Sequence, residues 1–302
     1  MMNRRSFSSM AVLGLALSPT CSYSEKTGAA TAASTPLQRE VAQRLRELER
    51  RSRGRLGVHI LDTASGAEFG HRADERFLMC STFKLLASAL VLQRADRGQD
   101  SLERRIVFRK SDLVAYSPVT ETRTSGDGMS MAELCAATLT TSDNTAANLI
   151  LASYGGPPAV TAFARSLGDG VTRLDHNEPT LNTWHDAVSD TTSPRAMLNS
   201  LQRVTLGDAL APTSRDTLLH WMRANTTGET RLKAGLPAGW TIGDKTGAGD
   251  NTSNDIAIVW PPNRAPLLVT AYLTRSVASF EVRNATLAQV GALLPLIADA
   301  RG

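Results

Sequence analysis

The chain has 302 residues, of which 42% are hydrophobic, 21% charged and 5% aromatic, and its formal net charge is +4. These values exclude a disordered chain, and no run of about 20 apolar residues is present that would span a membrane. Three cysteines are too few for a disulfide scaffold or a four-ligand structural zinc site, and the five histidines lack the spacing of a zinc-enzyme motif, so we expect neither a metal nor another cofactor.

Residues 1–28 are predicted to be an export signal. Arg4 and Arg5 precede a short apolar run at 10–17, and small polar residues follow it. The run 3–7 favours a twin-arginine signal over an ordinary secretory one, so we expect an exported, periplasmic protein with no stable membrane insertion after processing. Removal of residues 1–28 deletes three basic groups and one acid, which lowers the charge from +4 to +2. So small an excess of positive charge argues against a nucleic-acid partner.

Hydrophobic periodicity predicts the elements of the mature chain in order. An apolar stripe over 37–48 marks an amphipathic helix, and alternation over 56–60 with a return over 67–71 marks two strands. The pattern then turns mostly helical, over 81–97, 130–140, 143–153, 157–167, 193–206 and 212–224. Three strands follow, at 240–247, 255–260 and 266–274, and a closing helix spans about 280–298.

These elements predict an α/β fold of the α+β type. We expect an antiparallel sheet of about five strands that is built from both chain ends and flanked by helices, with an all-helical lobe inserted between them. Residues 29–80 and 226–302 would form a discontinuous α/β lobe, and residues 81–225 the helical lobe. The helical lobe carries the stretch 173–192, which has no clean periodicity, and so long a loop inside a compact domain is usually functional.

Lys84 is the first anomaly, because residues 83–92 are apolar nearly all round, as in a buried helix. A buried ammonium must pair with an acceptor, extend to solvent or lose its proton. Ser81 lies three residues earlier on the same helix face, so the lysine is a candidate acceptor for the serine proton. The helix N-terminus also offers N–H groups to a developing oxyanion. A capping serine and a lysine that extends to solvent would give the same pattern.

Two further motifs are modest alone. Ser142-Asp143-Asn144 precedes a helical run, and these residues are common helix caps. The functional interpretation makes Ser142 a proton shuttle and Asn144 an amide donor to substrate. Lys245-Thr246-Gly247 ends a strand, where lysine and threonine can bind a carboxylate and glycine lets a ligand approach. The same tripeptide recurs at 26–28, so it is not specific.

The loop 173–192 contains Glu178, followed by Pro179. An acid before proline is a candidate for a cis peptide bond that would point the carboxylate inward. Glu178 could then polarise a water that Asn182 holds in place. A solvated loop acid is the alternative interpretation.

In this order, Ser-x-x-Lys at 81–84, Ser-Asp-Asn at 142–144, Glu-x-x-Leu-Asn at 178–182 and Lys-Thr-Gly at 245–247 resemble the class A β-lactamases. The resemblance covers about residues 37–300. It implies an enzyme that hydrolyses the β-lactam amide bond of penicillins and cephalosporins and so gives antibiotic resistance. Its expected partner is the small-molecule β-lactam substrate, and a monomer is the default expectation for the oligomeric state.

The resemblance assigns a role to each motif residue. Ser81 would form the acyl-enzyme, with the backbone N–H groups of Ser81 and Ala248 as the oxyanion hole. Ser142 would protonate the departing nitrogen, and Glu178 would hydrolyse the ester through a water also held by Asn182. Whether Lys84 or Glu178 is the base for acylation stays open. The expected substrate-binding residues are Asn144, Lys245, Thr246, Gly247 and Arg231, with Tyr116 at the entrance.

The chain departs from the family pattern at three places. Asn254 stands where many relatives carry a carboxylate-binding arginine, and Arg231 is predicted to take that role. His176 replaces an arginine that pairs with the aspartate matching Asp190, so we hypothesise a looser loop that admits bulkier cephalosporins. In addition, Cys80 and Cys135 lack the cysteine partners of some relatives, so both are predicted to be buried free thiols.

Two rival functions share part of the pattern. A penicillin-binding DD-peptidase has the serine, lysine and Lys-Thr-Gly elements but lacks the deacylating glutamate loop. A β-lactam sensor would be acylated and stay acylated, so it would need an ineffective Glu178. Glu178 together with Asn182 is therefore the feature that favours a β-lactamase.

Overall fold

The computed structural model describes residues 34–300, so the predicted export signal lies outside the described residues. Helices in this range are α1 Pro36–Ser52, α2 Lys84–Asp96, α3 Met131–Thr140, α4 Asn144–Ser153, α5 Pro157–Ser166, α6 Pro194–Thr205, α7 Pro212–Arg223, α8 Phe280–Gly291 and α9 Leu294–Asp299. Strands are β1 Arg55–Asp62, β2 Glu68–His71, β3 Phe77–Leu78, β4 Arg105–Ile106, β5 Met129–Ser130, β6 Thr191–Thr192, β7 Thr241–Gly249, β8 Thr252–Trp260 and β9 Leu267–Thr274.

The main sheet has five antiparallel strands in the order β2-β1-β9-β8-β7. β1 from the start of the chain pairs with β9 from its end, from Arg55 opposite Thr274 to Asp62 opposite Leu267. β7 and β8 form a hairpin whose turn includes Asn251 at a φ of 53°, a value that asparagine tolerates better than most residues. The predicted sheet built from both chain ends is confirmed.

Side chains of the sheet alternate between two apolar clusters, as the two-residue period of a strand requires. Val269 and Ala271 of β9 face a cluster completed by α1, α8 and α9, which we call the rear cluster. Leu268 and Tyr272 face a second cluster, built largely from α2 to α7, which we call the front cluster. The helical insertion therefore covers one face of the sheet and the terminal helices cover the other. From Thr35 onward the chain is one compact unit, and its division into the two predicted lobes stays a prediction.

The prediction of a single closing helix over 280–298 is wrong. α8 ends at Gly291 and α9 starts at Leu294, with Pro295 in its first turn. Proline has no N–H to donate, and its ring clashes with the carbonyl four residues earlier, here that of Gly291, so an unbroken helix is excluded.

Two short ladders complete the fold. β3 pairs with β6 and β4 with β5, over two residues each.

The predicted helix over 81–97 starts later than expected, because Cys80–Phe83 is a 3₁₀ turn and α2 begins only at Lys84. None of the helices between residues 34 and 300 has the length and apolar character of a membrane span.

Candidate active site

Ser81 lies in the 3₁₀ turn that links β3 to α2, at the edge of the main sheet. The turn begins with Cys80 at a φ of 46°, an uncommon conformation for a residue with a side chain. Asn254 of β8 fixes the backbone just before the turn, because its side-chain amide donates to Leu78 O at 2.8 Å and to Met79 O at 3.0 Å. The sheet therefore positions this serine directly.

The Ser81 hydroxyl and the Lys84 ammonium meet at one carboxylate oxygen. Ser81 Oγ donates to Glu178 Oε1 at 2.7 Å, and Lys84 Nζ lies 3.1 Å from the same oxygen. Lys84 also donates to Ser142 O at 2.8 Å and to Asn144 Oδ1 at 2.6 Å. The predicted buried lysine is confirmed, and its ammonium is paired rather than extended to solvent.

Burial lowers the pKa of the Lys84 ammonium below its ordinary value, while the carboxylate of Glu178 opposes that shift. Desolvation disfavours the charged form of an amine, and a neighbouring anion favours it. With this lowered pKa, Lys84 can exchange a proton with the hydroxyl of Ser142, whose Oγ is 3.3 Å from Nζ.

Glu178 enters the site from the loop 173–192, and its side chain is completely buried. The Glu178–Pro179 bond is cis, as predicted. Asn148 of α4 fixes the backbone of Glu178 through a reciprocal pair of hydrogen bonds, both 2.9 Å long. Asn182 Nδ2 donates to Glu178 Oε2 at 2.6 Å. The loop acid is therefore anchored and aimed at the serine, which excludes the solvated alternative.

The Ser142-Asp143-Asn144 motif combines a cap with site residues. Asp143 is the N-cap of α4, accepting from Ala146 N at 2.8 Å, so the capping interpretation is right for this residue. Ser142 has a φ of 61° and lines the candidate site together with Asn144. Asn144 Nδ2 already donates to Ala115 O at 2.8 Å, which leaves one amide hydrogen for a ligand.

β7 brings the Lys-Thr-Gly motif beside the serine turn. A Cβ on Gly247 would lie 2.8 Å from Met79 O, so only glycine permits this close approach. Lys245 is fully buried, and its pKa lies well below the ordinary value because of burial and the neighbouring ammonium of Lys84. Thr246 Oγ1 lies 2.5 Å from Thr227 Oγ1, a partner that the sequence did not single out.

Arg231 lies behind this strand, only 4% exposed. Its Nη1 donates to Gly247 O at 2.8 Å and to Asn254 O at 2.6 Å, while its Nε has no protein partner among the described residues. Burial lowers the pKa of the guanidinium. Together with Lys245, it places positive charge beside the cavity, which suits an anionic ligand.

A buried carboxyl pair next to Lys245 was not predicted from the sequence. Burial raises the pKa of Asp244 to about 6, and burial together with the charge of Asp244 raises that of Asp255 well above its ordinary value. Two carboxyl groups this close share a proton more readily than they ionise together. The only sequence signal for them is an acid at a buried strand position.

A cavity of about 450 Å³ joins these groups. Its lining contains nine of the residues predicted from the sequence, namely Ser81, Tyr116, Ser142, Asn144, Asn182, Arg231, Thr246, Gly247 and Ala248. Thr226, Thr227 and Phe280 complete the lining and were not predicted. Lys84, Glu178 and Lys245 are buried behind it, so all the predicted site residues meet at one place. In the described part of the chain, no trio of side chains able to hold a metal lines this cavity.

The loop is braced at its base by His176 and Asp190. His176 Nδ1 lies 2.6 Å from Asp190 Oδ2, and the backbone N–H of His176 donates to Asp190 Oδ1 at 3.0 Å. His176, which stands where many relatives carry an arginine, therefore contacts the aspartate. The hypothesis that the loop is looser stays a prediction.

Cys80 and Cys135 are buried free thiols, as predicted.

Comparisons with known proteins agree with this geometry. The model of the "Beta-lactamase enzyme family" matches residues 40–297. The solved structure of an ancestral class A β-lactamase superposes with a TM-score of 0.83 at 56% identity, covering 85% of this chain and 99% of that one. This chain belongs to the class A β-lactamase family. It is accordingly an enzyme, a hydrolase of the serine β-lactamase type.

Two curated relatives of this β-lactamase show how far the similarity extends. β-Lactamase Toho-1 of Escherichia coli is 50% identical over 250 residues, which is 82% of this chain and 86% of the relative. β-Lactamase L2 of Stenotrophomonas maltophilia is 46% identical over 296 residues, which is 96% of this chain and 97% of the relative. The similarity therefore covers most of the chain rather than one motif.

Proposed function

We propose that the enzyme hydrolyses the β-lactam amide bond of penicillins and cephalosporins through an acyl-enzyme on Ser81, which a water activated by Glu178 then cleaves. The observation that carries this proposal is the hydrogen bond of 2.7 Å from Ser81 Oγ to Glu178 Oε1. Such an activity would give resistance to these antibiotics.

In the acylation step, Ser81 Oγ attacks the lactam carbonyl carbon. Its proton passes to Glu178, to which Ser81 donates, or to Lys84 in the neutral form that its lowered pKa favours. The N–H groups of Ser81 and Ala248 hold the oxyanion, each such donor being worth about 10²–10³ in rate. When the C–N bond breaks, Ser142 protonates the nitrogen and regains a proton from Lys84. If Glu178 took the serine proton, it then passes that proton to Lys84, 3.1 Å away, and is a carboxylate again before deacylation.

In the deacylation step, the Glu178 carboxylate takes a proton from a water, and the resulting hydroxide attacks the ester carbonyl. The ester bond breaks, and Ser81 Oγ takes the proton from Glu178, 2.7 Å away, which restores both the hydroxyl and the carboxylate. Asn182 supports this step because it contacts the same carboxylate and lines the cavity where the ester would lie. Neither rival function requires a buried, anchored glutamate at this place.

Substrate recognition rests on the positive part of the cavity. Thr246 and Ser142 bind the substrate carboxylate, while Lys245 and Arg231 supply positive charge behind them. Asn144 donates its remaining amide hydrogen to the side-chain amide of the substrate. Gly247 allows the substrate to lie against β7, and Tyr116 flanks the entrance with 61% of its surface exposed. We further propose that the enzyme acts as an exported, periplasmic monomer.

A chromogenic cephalosporin tests this function. The wild-type enzyme is expected to turn over many equivalents, and Ser81→Ala none above the uncatalysed rate. Ser65→Ala, in an exposed turn, is the matched control and should retain wild-type turnover. A single stoichiometric burst from the wild type would contradict the proposal and favour a DD-peptidase or a sensor.

A further inference from the structure

Three side chains with metal-binding atoms meet at the base of the Glu-bearing loop, outside the cavity. They are His176, His185 and Asp190, and one ligand atom from each lies within 4.8 Å of the others. The two histidine rings are 4.4 Å apart between centroids. His176 comes two residues before Glu178, and His185 comes three residues after Asn182. The cluster therefore joins the two limbs of the loop.

The hydrogen bonds of His185 leave one ring nitrogen ready to bind a cation. Its Nε2 is 3.0 Å from Thr180 O, and a carbonyl oxygen only accepts, so Nε2 carries the hydrogen. In this neutral tautomer, the lone pair is on Nδ1. A histidine that ligates a metal commonly donates its other N–H to a backbone carbonyl in this way.

The carboxylate of Asp190 is oriented in a comparable manner. Its Oδ1 accepts from the backbone N–H groups of Asp175 at 2.8 Å and His176 at 3.0 Å. Its Oδ2 faces His176 Nδ1 at 2.6 Å. Asp190 is completely buried, whereas His185 is exposed, so the cluster has an inner carboxylate and a ligand at the surface through which a cation can arrive.

The local charge also favours a cation. The loop 173–192 contains four carboxylates and one arginine, a formal charge of −3 when its two histidines are neutral. Glu178 is committed to the active site, while the hydrolytic mechanism uses neither His185 nor Asp190. The cluster thus has the donor atoms, the orientation and the field of a cation site, and the hydrolytic mechanism assigns no step to it.

We propose that His176, His185 and Asp190 bind a first-row divalent cation of the Zn²⁺ type. Two imidazole nitrogens and one carboxylate suit Zn²⁺, Co²⁺ or Ni²⁺, whereas Mg²⁺ and Ca²⁺ prefer oxygen ligands alone. On binding, the ring hydrogen of His176 moves from Nδ1 to Nε2 by exchange with solvent, so that Nδ1 and Asp190 Oδ2 both ligate the ion, and a water completes the coordination. Bound there, it links the two limbs of the loop that carries Glu178 and Asn182.

Calorimetric titration of the untagged mature enzyme with ZnCl₂ tests this site. The wild type is expected to bind one equivalent, and MgCl₂ under the same conditions to give no binding. His185→Ala removes a ligand at the surface and should weaken Zn²⁺ binding at least about tenfold, since even the loss of an outer contact to a metal ligand costs 10–100-fold. His220→Ala, an exposed histidine on α7, is the matched control and should bind as the wild type does.

Co²⁺ provides a second measurement, which reports the ligands of the bound ion rather than the heat of binding. The wild type and His220→Ala should develop the visible d–d absorption of protein-bound Co²⁺, and His185→Ala should not. His185→Gln serves as a second variant should the alanine variant fail to fold, as judged by circular dichroism. The proposal is overturned if the wild type binds no Zn²⁺, or if folded His185 variants bind Zn²⁺ and Co²⁺ as the wild type does.

Discussion

The active site and the rear cluster are both buried, yet they are built on opposite principles. The rear cluster packs aliphatic side chains such as Leu45, Val269 and Leu287 between the sheet and the terminal helices. The active site buries Lys84 and Glu178 at similar depth and compensates their charges with hydrogen bonds. Burial of apolar groups stabilises a fold, whereas a buried ion pair offsets its desolvation only when every contact is in place. Mutations in the two regions should therefore separate stability from catalysis.

The largest effect is expected from breaking the buried ion pair. Lys84→Met should destabilise the enzyme by about 3–5 kcal/mol, because Glu178 is left buried without its cation. The rate constant kcat should fall by about 10²–10⁴ at the same time. Urea unfolding and steady-state kinetics measure the two effects. The double variant Lys84→Met/Glu178→Gln should recover at least half of the lost stability and none of the activity, and a double variant no more stable than Lys84→Met would be inconsistent with a pairing effect.

A mutation in the rear cluster should lower stability without lowering activity. Leu45→Ala removes a fully buried side chain of α1 and should cost about 2–5 kcal/mol of unfolding free energy. The kcat/KM of the folded variant should stay at the wild-type value, because Leu45 is remote from the cavity lining. Arg46→Ala, exposed on the same helix, is the control and should change stability by less than about 0.5 kcal/mol. A loss of kcat/KM in folded Leu45→Ala would contradict the proposal that the rear cluster affects stability and not catalysis.

His59 shows how a buried titratable group affects stability without affecting catalysis, because it is buried on β1 away from the cavity. Burial, and then repulsion by Arg195, lower its pKa from 6.5 to about 4, against the attraction of Glu68 and Asp74. The unfolded chain therefore binds more protons between pH 6.5 and 4, so the stability due to neutral His59 is complete above pH 6.5 and is lost as the pH falls through this window.

The corresponding variant is His59→Asn, which cannot titrate in this range. Between pH 7.5 and 4.5, the wild type should lose about 2–3 kcal/mol more unfolding free energy than the variant, as urea denaturation would measure. His220→Asn, an exposed histidine, should lose as much as the wild type. Equal losses in all three proteins would refute the role of His59.

The smallest effect is expected from a change at Arg231, in the lining of the cavity. Arg231→Lys keeps a positive charge but loses the planar guanidinium and one of its two carbonyl contacts. We expect KM for a carboxylate-bearing cephalosporin to rise about tenfold with little change in kcat, which is the result of lost ground-state binding. Initial-rate kinetics provide the test, and an unchanged KM would remove Arg231 from the substrate-binding set.

Much of this fold could be predicted because its periodic signals are strong. Alternation in β1 and the apolar runs of β8 and β9 identified the strands, and their separation along the chain indicated a sheet closed by both ends. The pattern did not reveal the pairing of β3 with β6, because two-residue ladders carry no period of their own and depend on tertiary contacts. It also missed the break before Pro295, where an apolar stripe continues on both sides.

The site was predictable to the extent that its motifs could be recognised. The residue types in Ser-x-x-Lys and Lys-Thr-Gly indicated chemistry, and their conjunction indicated the family. Asn148 and the Asp244–Asp255 pair could not be found in this way, because their importance lies in what they contact. The link from Ser81 to Lys84 through a shared oxygen of Glu178 is likewise a tertiary fact, since 97 positions separate the serine from the glutamate.

The central claim is that Glu178 releases the acyl group from Ser81. Intact-protein mass spectrometry of Glu178→Ala, sampled during incubation with a penicillin, tests it most directly. The account predicts one covalent adduct per chain, located on Ser81, that persists long after the wild-type enzyme has consumed its substrate and returned to its free mass. Sustained wild-type turnover by Glu178→Ala with no accumulated adduct would contradict it.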